Sequence, residues 1–352
     1  MRRSVRSCYD GEGGYVFAES PDAIARKKGI SQIARLASNE NPFPPPETVI
    51  EAGVAALRQA NRYPEASPER LMAALRRCHG EYSFIIGNGM DGVIETVIRT
   101  VVDPGDRVVI STPTFSFYGL AATAQGARVV QVPREADFSV DPGRFAEACR
   151  GAKVAFLCSP NNPTGNACPI ETVREILDAT DCLLFLDNAY VEFSDIDYRP
   201  LMRDYDTLIE GRTMSKIYSL AGLRFGYAFV PPWLAPHLNR AGTPFAVNAV
   251  ACAAAEAALG EAGHIERTAT HVRRWRERFV SAIPFPVLPS DANFVLIDVA
   301  PLGGDEASAR LAEQGIIVRS CRSFPGLEDR YIRVSIGEDW ENERFLAGIT
   351  QL

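Results

Sequence analysis

Residues 183–190 read Leu183-Leu184-Phe185-Leu186-Asp187-Asn188-Ala189-Tyr190, an apolar run that ends in an acid. A short and wholly apolar run is typical of a strand buried on both faces of a parallel sheet. Asp187 then lies at the carboxyl end of its strand, where open α/β sheets carry their binding sites. Taken alone, Asp187 could equally be the N-cap of a following helix.

Five further apolar runs of the same kind lie along the chain. They are Phe84-Ile85-Ile86, Val108-Val109-Ile110, Val129-Val130-Gln131-Val132, Val154-Ala155-Phe156-Leu157 and Tyr227-Ala228-Phe229-Val230. Helical patterns separate them, for example at residues 91–102 and 171–179. Strands that alternate with helices indicate an α/β fold with a mostly parallel sheet covered by helices.

The pattern changes beyond residue 255. An arginine-rich amphipathic helix is predicted at residues 264–283, and strands are predicted at residues 294–299, 316–318 and 331–336. This arrangement is typical of a smaller α+β domain.

The N-terminal segment is rich in loops and ends in the proline cluster of residues 42–46, which predicts an arm crossing the molecule. We therefore expect three segments. An arm with part of the small domain occupies residues 1–45, a large domain residues 46–255, and a small C-terminal domain residues 256–352.

The composition argues against several classes of function. The 352 residues include 37 Lys and Arg against 44 Asp and Glu, and the net charge of −7 gives no attraction for nucleic acid or an acidic membrane. No apolar run approaches the ~18 residues of a membrane span, and none follows the charged N-terminus as in a secretion signal. The eight cysteines lack metal-ligand spacing, which is typical of reduced cysteines in a cytoplasmic protein.

Lys216 is the residue best suited to carbonyl chemistry. The chain has four lysines against thirty-three arginines, and a neutral lysine amine attacks carbonyls whereas guanidinium stays protonated. Lys216 lies between hydroxyl residues, in Thr213-Met214-Ser215-Lys216-Ile217-Tyr218. The other three, Lys27, Lys28 and Lys153, have surroundings typical of surface charge. On its own, Lys216 could be a surface lysine too.

Two further loops follow predicted strands. The first, Gly87-Asn88-Gly89-Met90-Asp91-Gly92, opens a helix, and its backbone N–H groups could bind a phosphate there. The second, residues 158–165, holds Asn162 between an asparagine and a proline. Ordinary turn chemistry explains each loop alone. Together with Lys216 and Asp187, however, they supply the amine, carboxylate, donors and anion-binding groups that pyridoxal 5′-phosphate requires.

With these residues the chain resembles the fold-type I pyridoxal-phosphate aminotransferases, and within them the histidinol-phosphate aminotransferases. The motifs that carry the resemblance are Asn39-Glu40-Asn41-Pro42, Arg62-Tyr63-Pro64-Glu65, residues 159–165, residues 187–190, Ser215-Lys216, Ala221-Gly222-Leu223-Arg224 and Ile332-Arg333-Val334. The resemblance implies a large domain with a mostly parallel seven-stranded sheet between helices and a smaller α+β C-terminal domain. It also implies a transaminase with pyridoxal 5′-phosphate as cofactor.

The resemblance further implies roles for the cofactor residues. Lys216 would bind the cofactor aldehyde and move the proton between substrate Cα and cofactor C4′, while Asp187 would pair with the pyridine nitrogen. Asn162 and Tyr190 would bind the phenolic oxygen, and Phe115, which could also be a core residue, would stack on the ring. The phosphate would be bound by Gly89, Met90, Asp91, Thr213, Ser215, Arg224 and, from the second subunit of a homodimer, Tyr63.

For the substrates, the resemblance implies an amino donor and a 2-oxo acid, namely L-histidinol phosphate and 2-oxoglutarate in histidine biosynthesis. Arg333 matches the position that binds a carboxylate through its guanidinium, although an arginine on a strand edge is also typical of a solvent-facing residue. Arg319 and Tyr15 match positions near the distal phosphate, and Asn41 is a further expected substrate contact.

Two positions depart from the family pattern: Asn188 and Gly92 stand where the family commonly has acidic residues, and both bear on substrate specificity.

Three alternative functions stay open. A phosphothreonine decarboxylase-like enzyme has a C-terminal segment similar to residues 321–327, and a broad aromatic or branched-chain aminotransferase shares every cofactor residue. A non-catalytic effector-binding module would need a DNA-binding unit, for which the Gly- and Pro-punctuated N-terminus is too short.

Overall fold

The computed structural model describes residues 5–9, 14, 26, 29–30 and 32–352. The strands are β1 Ala34–Arg35, β2 Ser83–Asn88, β3 Arg107–Thr112, β4 Arg128–Pro133, β5 Ala152–Cys158, β6 Leu183–Asp187, β7 Leu208–Thr213, β8 Phe225–Val230, β9 Phe294–Asp298, β10 Ile316–Ile317, β11 Arg319–Ser320 and β12 Tyr331–Ser335. The α-helices are α1 Glu47–Leu57, α2 Glu69–His79, α3 Gly89–Val101, α4 Phe117–Gln125, α5 Pro142–Cys149, α6 Ile170–Asp178, α7 Leu201–Asp204, α8 Ala235–Ala241, α9 Ala249–Ala258, α10 Ala262–Ala282, α11 Gly304–Glu313 and α12 Asp339–Ile349.

A seven-stranded sheet in the order β2-β8-β7-β6-β5-β3-β4 forms the centre of the larger part of the molecule. The neighbours from β4 to β7 run parallel, and β8 runs antiparallel to both β7 and β2. The α/β fold with a mostly parallel seven-stranded sheet is therefore confirmed.

β7 is the strand that the apolar pattern did not single out. It carries Glu210 and Arg212, whose charges would ordinarily exclude a buried strand. The two side chains form a buried ion pair with 2.7 Å between Arg212 Nη2 and Glu210 Oε1. Because each charge has its partner within the same strand, the sheet accepts both.

Apolar side chains cover both faces of the sheet. In β5, Phe156 belongs to the core on one face, while Ala155 and Leu157 belong to the core on the other. Alternate side chains of a strand point to opposite faces, so a continuous apolar run is needed when helices cover both. The first core includes Ile94 of α3, and the second includes Ile176 of α6.

The C-terminal region forms a smaller antiparallel sheet in the order β11-β12-β9, next to the parallel pair β1 and β10. The strand predicted at residues 316–318 is β10, which ends at Ile317, and a second strand that was not predicted, β11, follows it. They separate at Val318 because β10 pairs with β1 of the N-terminal segment, whereas β11 pairs with β12. The domain boundaries at residues 45 and 255 stay a prediction.

Within the part of the chain that the structure describes, none of the helices combines the length and apolar character required to span a membrane.

Candidate active site

A cavity of about 520 Å³ lies where β5, β6 and β7 end. Its walls come from the loops after these strands, from the start of α3 and from β11 and β12 of the smaller sheet. Twelve of the residues that the sequence pointed to line it: Met90, Asp91, Phe115, Asn162, Asp187, Tyr190, Thr213, Ser215, Lys216, Arg224, Arg319 and Arg333.

The amine of Lys216 lies against the polar wall of the cavity. Its Nζ donates to the backbone oxygen of Ser38 at 3.2 Å and lies 5.7 Å from the centre of the Tyr190 ring. Burial lowers the pKa of Lys216 to about 8, and the nearby cations Arg333 and Arg224 act in the same direction. A sizeable neutral fraction near pH 8 makes this amine a nucleophile and a base.

Asp187 ends β6 inside the protein, with 3 % of its surface exposed. Its carboxylate accepts the backbone N–H of Ala189 at 3.0 Å and the hydroxyl of Tyr118 at 2.5 Å. Burial raises the pKa of Asp187 to about 6, and these two donors counteract part of that rise. The next helical turn begins at Val191 with Tyr190 as its N-cap residue, so Asp187 does not cap it.

Arg333 is buried, with 7 % of its surface exposed, and does not face solvent. Its guanidinium donates to Asn162 Oδ1 at 2.5 Å and to the backbone oxygen of Ala37 at 2.6 Å, while its Nε atom is buried without a partner among the described residues. The phenol of Tyr190 accepts from Asn39 Nδ2 at 3.1 Å. These contacts leave the Nε donor of Arg333 and the hydroxyl donor of Tyr190 for a bound molecule.

Arg224 and the start of α3 form the cationic end of the cavity. Arg224 Nη2 lies 3.0 Å from Asp91 Oδ2, and burial raises the pKa of Asp91. Gly89 has a positive φ of 72°, and a Cβ atom there would meet Arg224 at 2.6 Å, so only glycine fits. The N–H of Gly89 is donated to Arg224 O at 2.9 Å. Gly89 thus supports the cationic end rather than lining the cavity.

Arg319 lies beside Arg333, because the two residues are Cα partners across β11 and β12. Both line the cavity, and Arg319 Nη2 donates to Ser323 Oγ at 3.1 Å. Tyr15, predicted to lie near them, falls outside the described residues, although Gly14 lines the cavity. Two guanidinium groups on adjacent strands provide neighbouring sites for anionic groups.

Besides Gly89, two predicted residues lie away from the cavity lining. Tyr63 is 83 % exposed, and its ring stacks on Phe245 with 4.9 Å between the centroids. Asn41 donates through Nδ2 to the backbone oxygens of Lys216 at 2.9 Å and Ile217 at 3.0 Å. Asn41 therefore holds the backbone of the Lys216 loop, and its role as a substrate contact stays a prediction.

Residues 31–349 match the family described as aminotransferase class I and II. The chain belongs to this family. The aminotransferase is 63 % identical over 352 residues to a histidinol-phosphate aminotransferase of Methanoculleus marisnigri and 57 % identical over 354 residues to one of Methanosphaerula palustris, each comparison covering 100 % of both chains. The solved histidinol-phosphate aminotransferase of Sinorhizobium meliloti in complex with pyridoxal-5′-phosphate has a TM-score of 0.89 and 29 % identity, covering 99 % of this chain and 97 % of that one.

Membership of this family makes pyridoxal 5′-phosphate the cofactor of the aminotransferase. The side chains that line the cavity also fit that molecule. It presents an amine of lowered pKa, a buried carboxylate and a cationic helix terminus within one space of about 520 Å³. An aldehyde, a ring nitrogen and a phosphate are the three groups for which such donors and acceptors are suited.

Sequence reasoning missed four residues that the structure places at the cavity. Ser38 accepts from Lys216, and Asn39 donates to Tyr190. Tyr118 donates to Asp187, and Ser323 accepts from Arg319. Asn39 belongs to the Asn-Glu-Asn-Pro motif, and that motif could have indicated that Asn39 lies at the site. Nothing in the local sequence distinguished Tyr118 from a core tyrosine.

Proposed function

We propose that this aminotransferase moves the amino group of L-histidinol phosphate to 2-oxoglutarate, giving imidazole acetol phosphate and L-glutamate. The observation that carries the proposal is the pair Arg319 and Arg333, which lie opposite each other on adjacent strands and line the same cavity as Lys216. The proposal is supported by the two histidinol-phosphate aminotransferases that match this chain over its whole length. Histidine biosynthesis in the cytoplasm is the corresponding setting.

The cofactor-binding roles follow from the contacts. Asp187 would pair with the ring nitrogen, and Asn162 and Tyr190 would donate to the phenolic oxygen, with Phe115 stacked on the ring. The phosphate would lie at the start of α3, held by its backbone N–H groups and by the side chains of Thr213, Ser215 and Arg224. Bound there, pyridoxal 5′-phosphate supplies an electron sink for the carbanion formed at the substrate Cα.

Lys216 would act twice. Its neutral amine would hold the cofactor aldehyde and, when free, would accept the proton from the substrate Cα. The lowered pKa of about 8 suits a base that must take up and return a proton near neutral pH. Asn41 donates to the backbone oxygens of Lys216 and Ile217 and would thereby stabilise the folded loop.

The two arginines would divide the substrate anions between them. Arg333 would bind the α-carboxylate of glutamate or 2-oxoglutarate, since its Nε atom is buried and otherwise unpartnered among the described residues. Arg319, which is less buried and already bonded to Ser323, would bind the phosphate of histidinol phosphate. One cavity would thereby accept two donors that carry their anions at different distances from the amine.

A homodimer would complete the site. Tyr63 of one subunit would reach the cofactor phosphate of the other, which suits a tyrosine that is 83 % exposed in the single chain. Phe245, against which it stacks, is 47 % exposed, and Val54 and Leu57 of α1 are 46 % and 59 % exposed. Exposed apolar side chains of this size are typical of a surface covered by a partner.

A donor panel tests the proposal. Purified enzyme is assayed with 2-oxoglutarate and L-histidinol phosphate, L-phosphothreonine, L-phenylalanine or L-leucine, with glutamate and CO₂ measured in each case. We expect kcat/KM for L-histidinol phosphate to exceed the values for L-phenylalanine and L-leucine, which lack a phosphate, by about 100-fold, the contribution of one strong charge-assisted anion contact. CO₂ from phosphothreonine would favour the decarboxylase, and equal rates with phenylalanine a broad aromatic enzyme.

A further inference from the structure

Tyr118 of α4 carries a buried hydroxyl that none of the proposed roles uses. The residue is 0 % exposed, its ring stacks on Phe156 with 5.0 Å between centroids, and it meets Phe115 edge-on at 5.5 Å. The hydroxyl donates to Asp187 Oδ2 at 2.5 Å. Because aromatic rings hold the phenol on two sides, its hydroxyl is fixed against the carboxylate.

We propose that Tyr118 is a positioning residue that fixes the orientation of the Asp187 carboxylate and stabilises its ionised form toward the cofactor ring nitrogen. A hydrogen bond from a neutral donor to a charged acceptor belongs to the stronger class, and it favours the charged form of the acceptor. The inference rests on the proposed role of Asp187, which requires that carboxylate to be ionised when the cofactor binds.

The groups around Asp187 explain why a donor is needed there. Asp91 disfavours its ionisation, whereas Lys216 favours it. The thiol of Cys158 is neutral, since burial raises its pKa to about 12. Burial alone already raises the pKa of Asp187 toward neutral pH, and the Tyr118 hydroxyl opposes that rise. Loss of the hydroxyl would therefore leave a smaller ionised fraction at the pH where the enzyme works.

Tyr118→Phe tests the inference through cofactor affinity rather than turnover. The equilibrium dissociation constant of pyridoxal 5′-phosphate is measured by fluorescence on cofactor-free protein between pH 5.5 and 8.5. We expect the acidic limb of the affinity profile to lie about one pH unit higher, so that binding is about twofold weaker at pH 7 and roughly tenfold weaker at pH 5.5, below both pKa values. An unshifted limb with unchanged affinity overturns the proposal.

Tyr227→Phe is the matched control. Tyr227 is also 0 % exposed, and its hydroxyl pairs with His79 Nε2 at 2.9 Å, but it does not line the cavity. A variant that only loses a buried hydrogen bond should lower the unfolding temperature and leave the pH limb in place. The same limb shift in Tyr227→Phe would contradict a specific role for Tyr118.

A double-mutant cycle with Asp187→Asn separates this inference from the proposed role of Asp187. If Tyr118 acts through Asp187, adding Tyr118→Phe to Asp187→Asn changes the affinity at pH 5.5 less than about twofold; a further loss of roughly tenfold at that pH overturns the inference. Unchanged affinity in Asp187→Asn alone defeats the role of Asp187 itself. If Tyr118→Phe alone folds poorly because the buried Asp187 carboxylate has lost its donor, the double variant can still be measured, since it has no carboxylate at that position.

Discussion

The two ends of the cavity are built differently. The cofactor end, which we define as Asp187, Lys216, Tyr190 and Asn162, lies at the end of β6 and on loops that follow strands of the seven-stranded sheet. The arginine end, Arg319 and Arg333, lies on strands of the smaller sheet, one of them only two residues long. The first belongs to the larger sheet and the second to the smaller one, and the hydrogen bond from Arg333 to Asn162 joins them.

This difference assigns the chemistry to the cofactor end and the choice of substrate to the arginine end. Every residue of the cofactor end has a hydrogen bond to a neighbouring segment of the protein. At the arginine end, Arg333 is buried but Arg319 is only partly so. A fold arranged in this way keeps one reaction and selects its substrate with a few side chains of a separate sheet.

Lys216→Ala should have the largest effect, because it removes the amine and the base together. We expect kcat to fall by at least about 10³-fold, and the visible absorbance of covalently bound cofactor to be absent. The absorbance spectrum and single-turnover assays measure the two effects. Lys153→Ala, which alters an exposed lysine at the start of β5, is the control and should match the parent enzyme. Comparable turnover in both variants would remove Lys216 from its role.

Arg333→Ala, at the arginine end, should have the second-largest effect. Losing a charge-assisted contact worth about 3 kcal/mol should raise the KM for 2-oxoglutarate about 100-fold and leave kcat within a few-fold. Arg330→Ala, on the exposed side of the same segment where Arg330 pairs with Asp298, is the control. A fall in kcat at constant KM would show instead that Arg333 acts through Asn162 on the cofactor end.

Arg319→Ala should discriminate between donors. The KM for L-histidinol phosphate should rise about 30-fold, about 2 kcal/mol, while the KM for unphosphorylated L-histidinol should not change. The matched control is Arg322→Ala, since the Arg322 side chain is 68 % exposed and pairs with Asp305. An equal rise for both donors would place Arg319 away from the phosphate.

The pH dependence of cofactor capture should report on the Lys216 amine. With a pKa of about 8, Lys216 is protonated below that pH and neutral above it. The rate constant for binding pyridoxal 5′-phosphate to cofactor-free protein should therefore rise about tenfold per pH unit below pH 8 and level off above it. Stopped-flow absorbance measures this rate. A rise that continues to pH 10 would indicate an ordinary lysine.

Asn41→Ala should have the smallest effect on the reaction. Because Asn41 bonds to backbone oxygens of the Lys216 loop, we expect a loss of about 1–3 kcal/mol in the free energy of unfolding and catalytic constants within about twofold. Denaturant unfolding and steady-state kinetics give both quantities. A tenfold rise in one substrate's KM with unchanged stability would make Asn41 a substrate contact after all.

The α/β fold and the residues around the cavity could largely be predicted from the sequence, because both depend on local patterns. Apolar runs reveal strands that are buried on both faces, and the loops after them carry the motifs with Asp187 and Lys216. Strand β7 was beyond that reasoning, since the pairing of Glu210 with Arg212 is visible only once the strand is folded.

Long-range pairings were the part that no pattern could supply. Tyr118 and Asp187 are 69 positions apart, and a tyrosine in a helix gives no sign of which carboxylate its hydroxyl will reach. The break between β10 and β11 has the same origin, because the two strands differ only in their partners, β1 and β12.

Asn39 joins the two sheets through its backbone N–H and its side-chain amide. Its backbone N–H donates to Ser335 Oγ at 2.8 Å at the end of β12, and its side chain donates to Tyr190 Oη at 3.1 Å. Asn293 donates to its backbone oxygen at 3.1 Å. A displacement of the smaller sheet relative to the seven-stranded sheet would therefore break one of these hydrogen bonds or move the Tyr190 phenol. The position of the phenol proposed to bind the cofactor's oxygen would thus depend on the position of the smaller sheet.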